Sequence, residues 1–348
     1  MRRLLKEKSF IFGFFFLSTI FVMSFVYTYG IKDPNDKPQA VLYNENQELV
    51  ARAPFPPSED FLLGSDKEGK GVLTNLIEGA KYTIGLAILL SLFRILLSFI
   101  LGYLFFILPK VVKDKIEILC DAYHYAPTAI FAYLILSPAL IAFSWSYDDK
   151  SKFYITIGVI IALAIPILSV YLMREIEIIF RKEFISSSRL IGGSSIHIFL
   201  KHVTPFLIPK IIIMFVQQVG QVLTLFAHLA LLDIFIGGGK QVIMGMDLEG
   251  NLLMESFSLS SEWGGLIGKS WNSFMSYPWM LFGPILAFTL TILAVNFMAS
   301  GLIRWNQREY NMPSNKKNKK INSSSSVLNV TSENVFSFDK VKLSEKSG

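Results

Sequence analysis

Six times along the chain the polar residues give way to an apolar run of about 20 residues or more, enough for a helix to cross a hydrocarbon layer of roughly 30 Å. The runs fall near 9–29, 80–108, 116–145, 153–172, 205–236 and 278–303. A helix that is apolar all round has no face to give to water, so such runs exclude an ordinary soluble domain. Only 17% of the 348 residues are charged, against roughly 25% in soluble domains. The expectation is an all-α polytopic membrane protein of about six transmembrane helices.

The distribution of lysine and arginine sets the orientation. With the N-terminus inside, the inner pieces carry Arg2, Arg3, Lys6 and Lys8, then Lys110, Lys113 and Lys115, then Arg174, Arg181, Lys182, Arg189 and Lys201, and finally Arg304 and Arg308. The opposite side is mixed or acidic, with Asp148, Asp149, Asp247, Glu249, Glu255 and Glu262. A net charge of +6 arranged in this way is an orientation signal rather than a nucleic-acid footprint. The chain divides into an N-terminal anchor (1–30), an extracytoplasmic loop (31–78), a five-helix core (79–304) with a further extracytoplasmic loop at 237–277, and a cytoplasmic, low-complexity tail (305–348) expected to be disordered. The first span is read as an uncleaved anchor, because its apolar core is long and lacks a small-x-small cleavage site. The single cysteine, Cys120, lies in an apolar run and reads as a packed thiol.

One inner stretch differs from its surroundings. Residues 186–210, "SSSRLIGGSSIHIFLKHVTPFLIPK", break the apolar pattern with serines, a Gly-Gly pair, two histidines and two prolines. It reads as two short helical halves around Gly192 and Gly193, with Pro205 in the first turn of the next helix. Ile191, Ile196 and Phe199 would offer apolar contacts and Ser187, Ser188, Arg189 and Ser194 small or polar ones. Two readings stay open: a surface that fits another protein's groove, or an interfacial helix joining two spans.

Elsewhere, Gln217, Gln221, Thr224 and His228 are spaced to share one face of the fifth span. Polar groups at membrane depth must face protein or water, so this face lines a substrate path or bonds to a neighbouring helix. Asp121 and His124 are spaced for a mutual hydrogen bond. "GSDKEGKG" at 64–71 superficially matches a phosphate-binding loop, but its last position is Gly71, not Ser or Thr, and it lies on the outer side. No nucleophile or metal-ligand cluster has catalytic spacing, so no enzyme activity is expected.

Residues 186–210 resemble the cytoplasmic coupling motif of permease subunits in binding-protein-dependent ABC importers: Glu-Ala-Ala, three residues, Gly, and a later Ile-x-Leu-Pro. In the oligopeptide, dipeptide and nickel branch the motif ends in a basic-His pair and prolines. Gly192, Ser194, Lys201, His202, Pro205 and Pro209 occupy those places, while Ser186, Ser187 and Ser188 stand where Glu-Ala-Ala would, so the acidic group is lost. "FLLGSDKEGKGVLTNLIEGAKYTI", the Asp121-to-Pro127 spacing, and "EWGGLIGKSWNSFMSYPWMLFGPILAFTLTILAVNFMASGLIRW" resemble the same branch, which carries the likeness from about 61 to 304.

The resemblance implies a type I ABC importer permease fold and the second-permease (C-type) subunit of such a system in a bacterial cell membrane, both termini cytoplasmic. It implies a coupling helix near 183–202, with Ser187, Ser188, Arg189, Gly192, Gly193, Ser194, His202 and Pro205 at the ATPase contact. It also implies a second homologous permease, two cytoplasmic ATPases that bind the ATP, and an extracytoplasmic binding protein; the chain itself needs no cofactor. The alternatives are an ion-gradient-driven carrier, which the scarcity of central charge in the spans disfavours, and a non-transporting sensor or scaffold.

Overall fold

Long helices follow directly from the apolar runs, because a segment in lipid must satisfy every backbone N–H and C=O internally. In the computed structural model, which describes residues 7–32, 38, 40–43, 49–143, 146–192, 194–236, 239–246, 252–258 and 262–310, five helices are long and apolar enough to cross a membrane. They are α1 (Lys8–Val26, continued by a π turn to Ile31), α2 (Val72–Ile107), α5 (Asp149–Phe180), α8 (Thr204–Leu231) and α10 (Trp279–Tyr310). Two hairpins interrupt the helical pattern in the connecting loops. One pairs β1 (Val41–Tyr43) with β2 (Leu49–Arg52), the other β3 (Gly239–Met246) with β4 (Leu252–Ser258), both antiparallel. Residues Met1–Gln307 form one unit, and a second unit begins at Arg308.

The third crossing departs from the expected single span over 116–145. It consists of α3 (Lys110–His124) and α4 (Thr128–Ser137, continued by a π turn to Ala142), bent by 85°. Pro127 stands at the break. It has no amide hydrogen to give to a continuing helix and disfavours helical backbone at Ala126 before it. The pair must still make a crossing, because α2 ends and α5 begins at opposite ends of the bundle. Ion pairs identify those ends. At one end Glu7 meets Arg304, Lys113 meets Glu177 at 2.5 Å, Arg174 meets Glu117 and Asp121, both at 3.3 Å, and Lys210 meets Glu175. At the other, Glu78 holds Lys32 at 2.7 Å and Lys70 at 2.6 Å.

Asp121 pairs with Arg174 of α5; the side chain of His124, its expected partner, lies outside the described residues. Cys120 is buried against Val170 and Met173, as a packed thiol should be.

Helix begins within the stretch expected as a loop over 31–78, because α2 starts at Val72. Its first turns, "VLTNLIEGAK", look too polar for a span, yet Asn75, Glu78 and Lys81 are all buried. Each has its partner: Asn75 donates to Asp66 at 2.8 Å, Glu78 takes the two lysines, and Lys81 Nζ donates to Thr28 at 2.5 Å. The helix α9 (Trp263–Trp271) seals the same end. The buried Trp263 indole donates to the Leu76 carbonyl at 2.8 Å and its amide to Thr83 Oγ1 at 3.0 Å. The main core runs through the bundle from Ile84 and Leu90 to Leu136, Ile160, Phe226, Phe288 and Val295.

α1 packs on α10 through Gly13. A Cβ there would lie 2.3 Å from the Ala294 carbonyl oxygen, a backbone atom that cannot swing aside.

Candidate functional site

The segment between α5 and α8 forms an elbow. Helix α6 (Glu183–Leu190) ends at a turn over Ile191 and Gly192, and α7 (Ser195–Ile198) follows, running through a π turn (Phe199–Val203) into α8. The two helical halves expected around the Gly-Gly pair are α6 and α7. Gly192 has φ +92°, a left-handed conformation that a side chain would strain, and it marks the break. Gly193 lies outside the described residues. Ser194 caps α7, its hydroxyl accepting from the His197 amide at 3.3 Å.

One face of the elbow is bolted down. Ile185, Ile198, Phe199 and Val203 are buried in a cluster with Ile176 and Ile179 of α5, Leu207 of α8, and Phe99, Tyr103 and Phe106 of α2. The Phe199 and Tyr103 rings lie 4.2 Å apart. The apolar contact expected of Phe199 is thus with the bundle, as an anchor.

The opposite face is bare. Leu190 and Ile191 are 89% and 88% exposed, and Ile196 is 64% exposed. Ser187 and Ser188 turn their hydroxyls back to the carbonyls of Glu183 and Phe184, leaving a small, low surface around the apolar pair. Arg189 stacks over Phe180 at 5.4 Å. His202 is half-buried, its ring 6.2 Å from that of His197, and Pro205 is exposed in the first turn of α8.

Along α8, Gln217, Gln221 and His228 are exposed and Thr224 half-buried, on one stripe. Thr224 bonds back to the Gly220 carbonyl at 2.9 Å. Among the described residues, only Gln221 of the four has a bond to another polar side chain, Gln218 at 2.7 Å. Gln218 is itself buried and accepts from Arg94. Sequence reasoning missed Arg94 and Gln218. The signal was present, a lone arginine inside "LLSLFRILLSF", but the apolar average of the run hides it.

The "GSDKEGKG" loop is a carboxylate-centred turn, not a phosphate cradle. Asp66 Oδ1 accepts from the amides of Glu68 and Lys70 at 3.0 and 2.9 Å, and Oδ2 accepts from Asn75. Its residues form part of the wall of a cavity of about 530 Å3, together with Tyr27, Lys32 and Asp60.

Comparison with known proteins adds a relationship to this geometry. The peptide transport system permease protein SapC of Salmonella typhimurium is 25% identical over 268 residues, 75% of this chain and 80% of its own. The protein of the same name in Haemophilus influenzae is 24% identical over 275 residues, 75% of this chain and 81% of its own. This chain is related, at low identity, to transport-system permeases. The glutathione transport system permease protein GsiD of Pectobacterium atrosepticum is 22% identical over 248 residues, 71% of this chain and 72% of its own. No family model matches the chain.

Proposed function

We propose that this chain is the membrane-spanning permease subunit of an ABC importer, forming half of a pathway for peptides or nickel complexes. The observation that carries the reading is the elbow. It is anchored by one face to three long helices and presents Leu190 and Ile191 bare on the other, with no core of its own to cover them. Exposed apolar residues in a polar rim mark a docking surface. The elbow end also holds Lys110, Lys113, Arg174, Arg181, Lys182 and Arg189, which supports a cytoplasmic placement.

In this reading two cytoplasmic ATPases bind ATP and close, and their movement pushes the elbow. Ser187, Ser188, Arg189, Gly192, Gly193 and Ser194 make the contact, and His202 and Pro205 connect it to α8. The push rocks the helices between inward-open and outward-open arrangements as rigid bodies. A second permease completes the pathway opposite Gln217, Gln221, Thr224 and His228, and an extracytoplasmic binding protein delivers cargo. The chain does no covalent chemistry and holds no nucleotide.

Arg94 is a buried central charge, the kind of group that a gradient-driven carrier uses when it titrates. Its guanidinium stays protonated throughout the working pH range, however, so it cannot load and release a proton.

The test is reconstitution with the partner ATPases. Gly192→Trp has open space around it but an unfavourable backbone, so the chain inserts while stimulation of ATP hydrolysis is lost. Normal stimulation by that variant refutes the elbow as the contact.

A further inference from the structure

Arg94 is a cation held deep in the bundle, 2% exposed, about 20 Å from the end of α2 at 1.5 Å per residue. Its Nε and Nη2 donate to the Ile160 carbonyl at 3.1 and 2.6 Å, and its Nη1 donates to Gln218 Oε1 at 3.2 Å. None of the ion pairs among the described residues includes it. An intramembrane charge is costly to place, and one without a counter-charge calls for a functional account.

The direction of the hydrogen bonds supplies it. A guanidinium has N–H groups and no acceptor. The atom of Gln218 that faces Arg94 must therefore be the oxygen, which turns the Gln218 amine towards Gln221 at 2.7 Å. Gln221 must in turn offer its oxygen inward. Its own amine is left as the end of the relay, on the exposed stripe of α8. Flipping either amide would set N–H against N–H.

We propose that Arg94 makes the polar stripe of α8 a positive, donor-presenting wall, selective for acceptor-rich neutral or anionic cargo and against cations. This rests on the reading of that stripe as a pathway wall, and deepens it. Arg94 is a positioning residue, acting through the relay and through its field, which low-dielectric surroundings screen weakly. Asp233, near the end of α8, is about 18 Å along the helix from Gln221 at 1.5 Å per residue, too far to cancel it. Of the two cargo chemistries, the wall favours peptides, whose carbonyls and carboxylate accept hydrogen bonds. A net-positive nickel complex would have to pass the buried cation.

The test reads the potential directly, without requiring transport. Gln217→Cys, one turn from Gln221, is introduced into a full-length chain with Cys120→Ala, in open membrane fragments from cells that make the native partners. Its labelling by an anionic and by a cationic methanethiosulfonate is compared with that of a free thiol. The anionic reagent is expected to be favoured about tenfold, the scale of local ion enrichment in a charged cleft. Arg94→Met should bring the ratio towards that of the free thiol, and Arg94→Lys should preserve it. Gln218→Glu neutralises Arg94 without removing it and must also lower the ratio, which covers the case of an unstable Met variant. Labelling whose ratio ignores both Arg94→Met and Gln218→Glu overturns the proposal but leaves a water-lined face. No labelling by either reagent overturns the pathway reading as well.

Discussion

Arg94 and Gln218 lie 124 positions apart in sequence, yet Nη1 of one meets Oε1 of the other at 3.2 Å in the buried centre of the bundle. The contact joins α2 to α8 while the same guanidinium grips the Ile160 carbonyl of α5. Gln218→Leu strands one charged donor in an apolar setting and should destabilise the chain by about 2 kcal/mol. Adding Arg94→Met to it should recover part of that loss, since a buried charge without its partner costs more than an apolar replacement of both. Thermal unfolding of the three variants in detergent, read as a double-mutant cycle, checks this.

The proposed docking face makes a separate demand. Ile191→Asp alters a side chain that supports no core contact, so folding and membrane insertion should be unchanged. Association with the ATPases should weaken about tenfold or more, the usual effect of losing an apolar anchor at an interface centre. Co-purification and titration against the ATPases measure it.

At Gly13 the prediction concerns packing. Gly13→Leu forces α1 away from the Ala294 carbonyl and should cost about 1–3 kcal/mol as overpacking. A photo-crosslinker at Phe12, whose ring lies 5.9 Å from that of Phe297, should then lose its adduct with α10.

Trp263 offers a graded test. Trp263→Phe keeps the ring contact with Phe288 but removes the donor to Leu76, and should cost about 1 kcal/mol. Trp263→Ala also opens a cavity and should cost about 3–5 kcal/mol. The melting temperatures of the two variants should fall in that order.

Much of the bundle was legible because lipid solvation writes itself into composition, and α5, α8 and α10 lie close to their apolar runs. What escaped was decided by pairing over distance. Asn75, Glu78 and Lys81 look like loop residues until Asp66, Lys32, Lys70 and Thr28 are beside them. Arg94 disappears into its apolar neighbours until Ile160 and Gln218 surround it. The bend at Pro127 was a local signal overridden by the length of the apolar stretch. On the elbow, Phe199 reads from the sequence as an apolar contact, and only the ring of Tyr103 shows that the contact is with the bundle.

That anchoring leaves the connector between α5 and α8 no slack. Ile198, Phe199 and Val203 share one apolar cluster with α2, α5 and the first turns of α8. A shove of a couple of ångströms must therefore drag three helix ends together or tear the cluster open. If the elbow is the ATPase contact proposed above, work done there goes into tilting the assembly rather than into flexing a strap, and the stroke arrives at the far side undiluted.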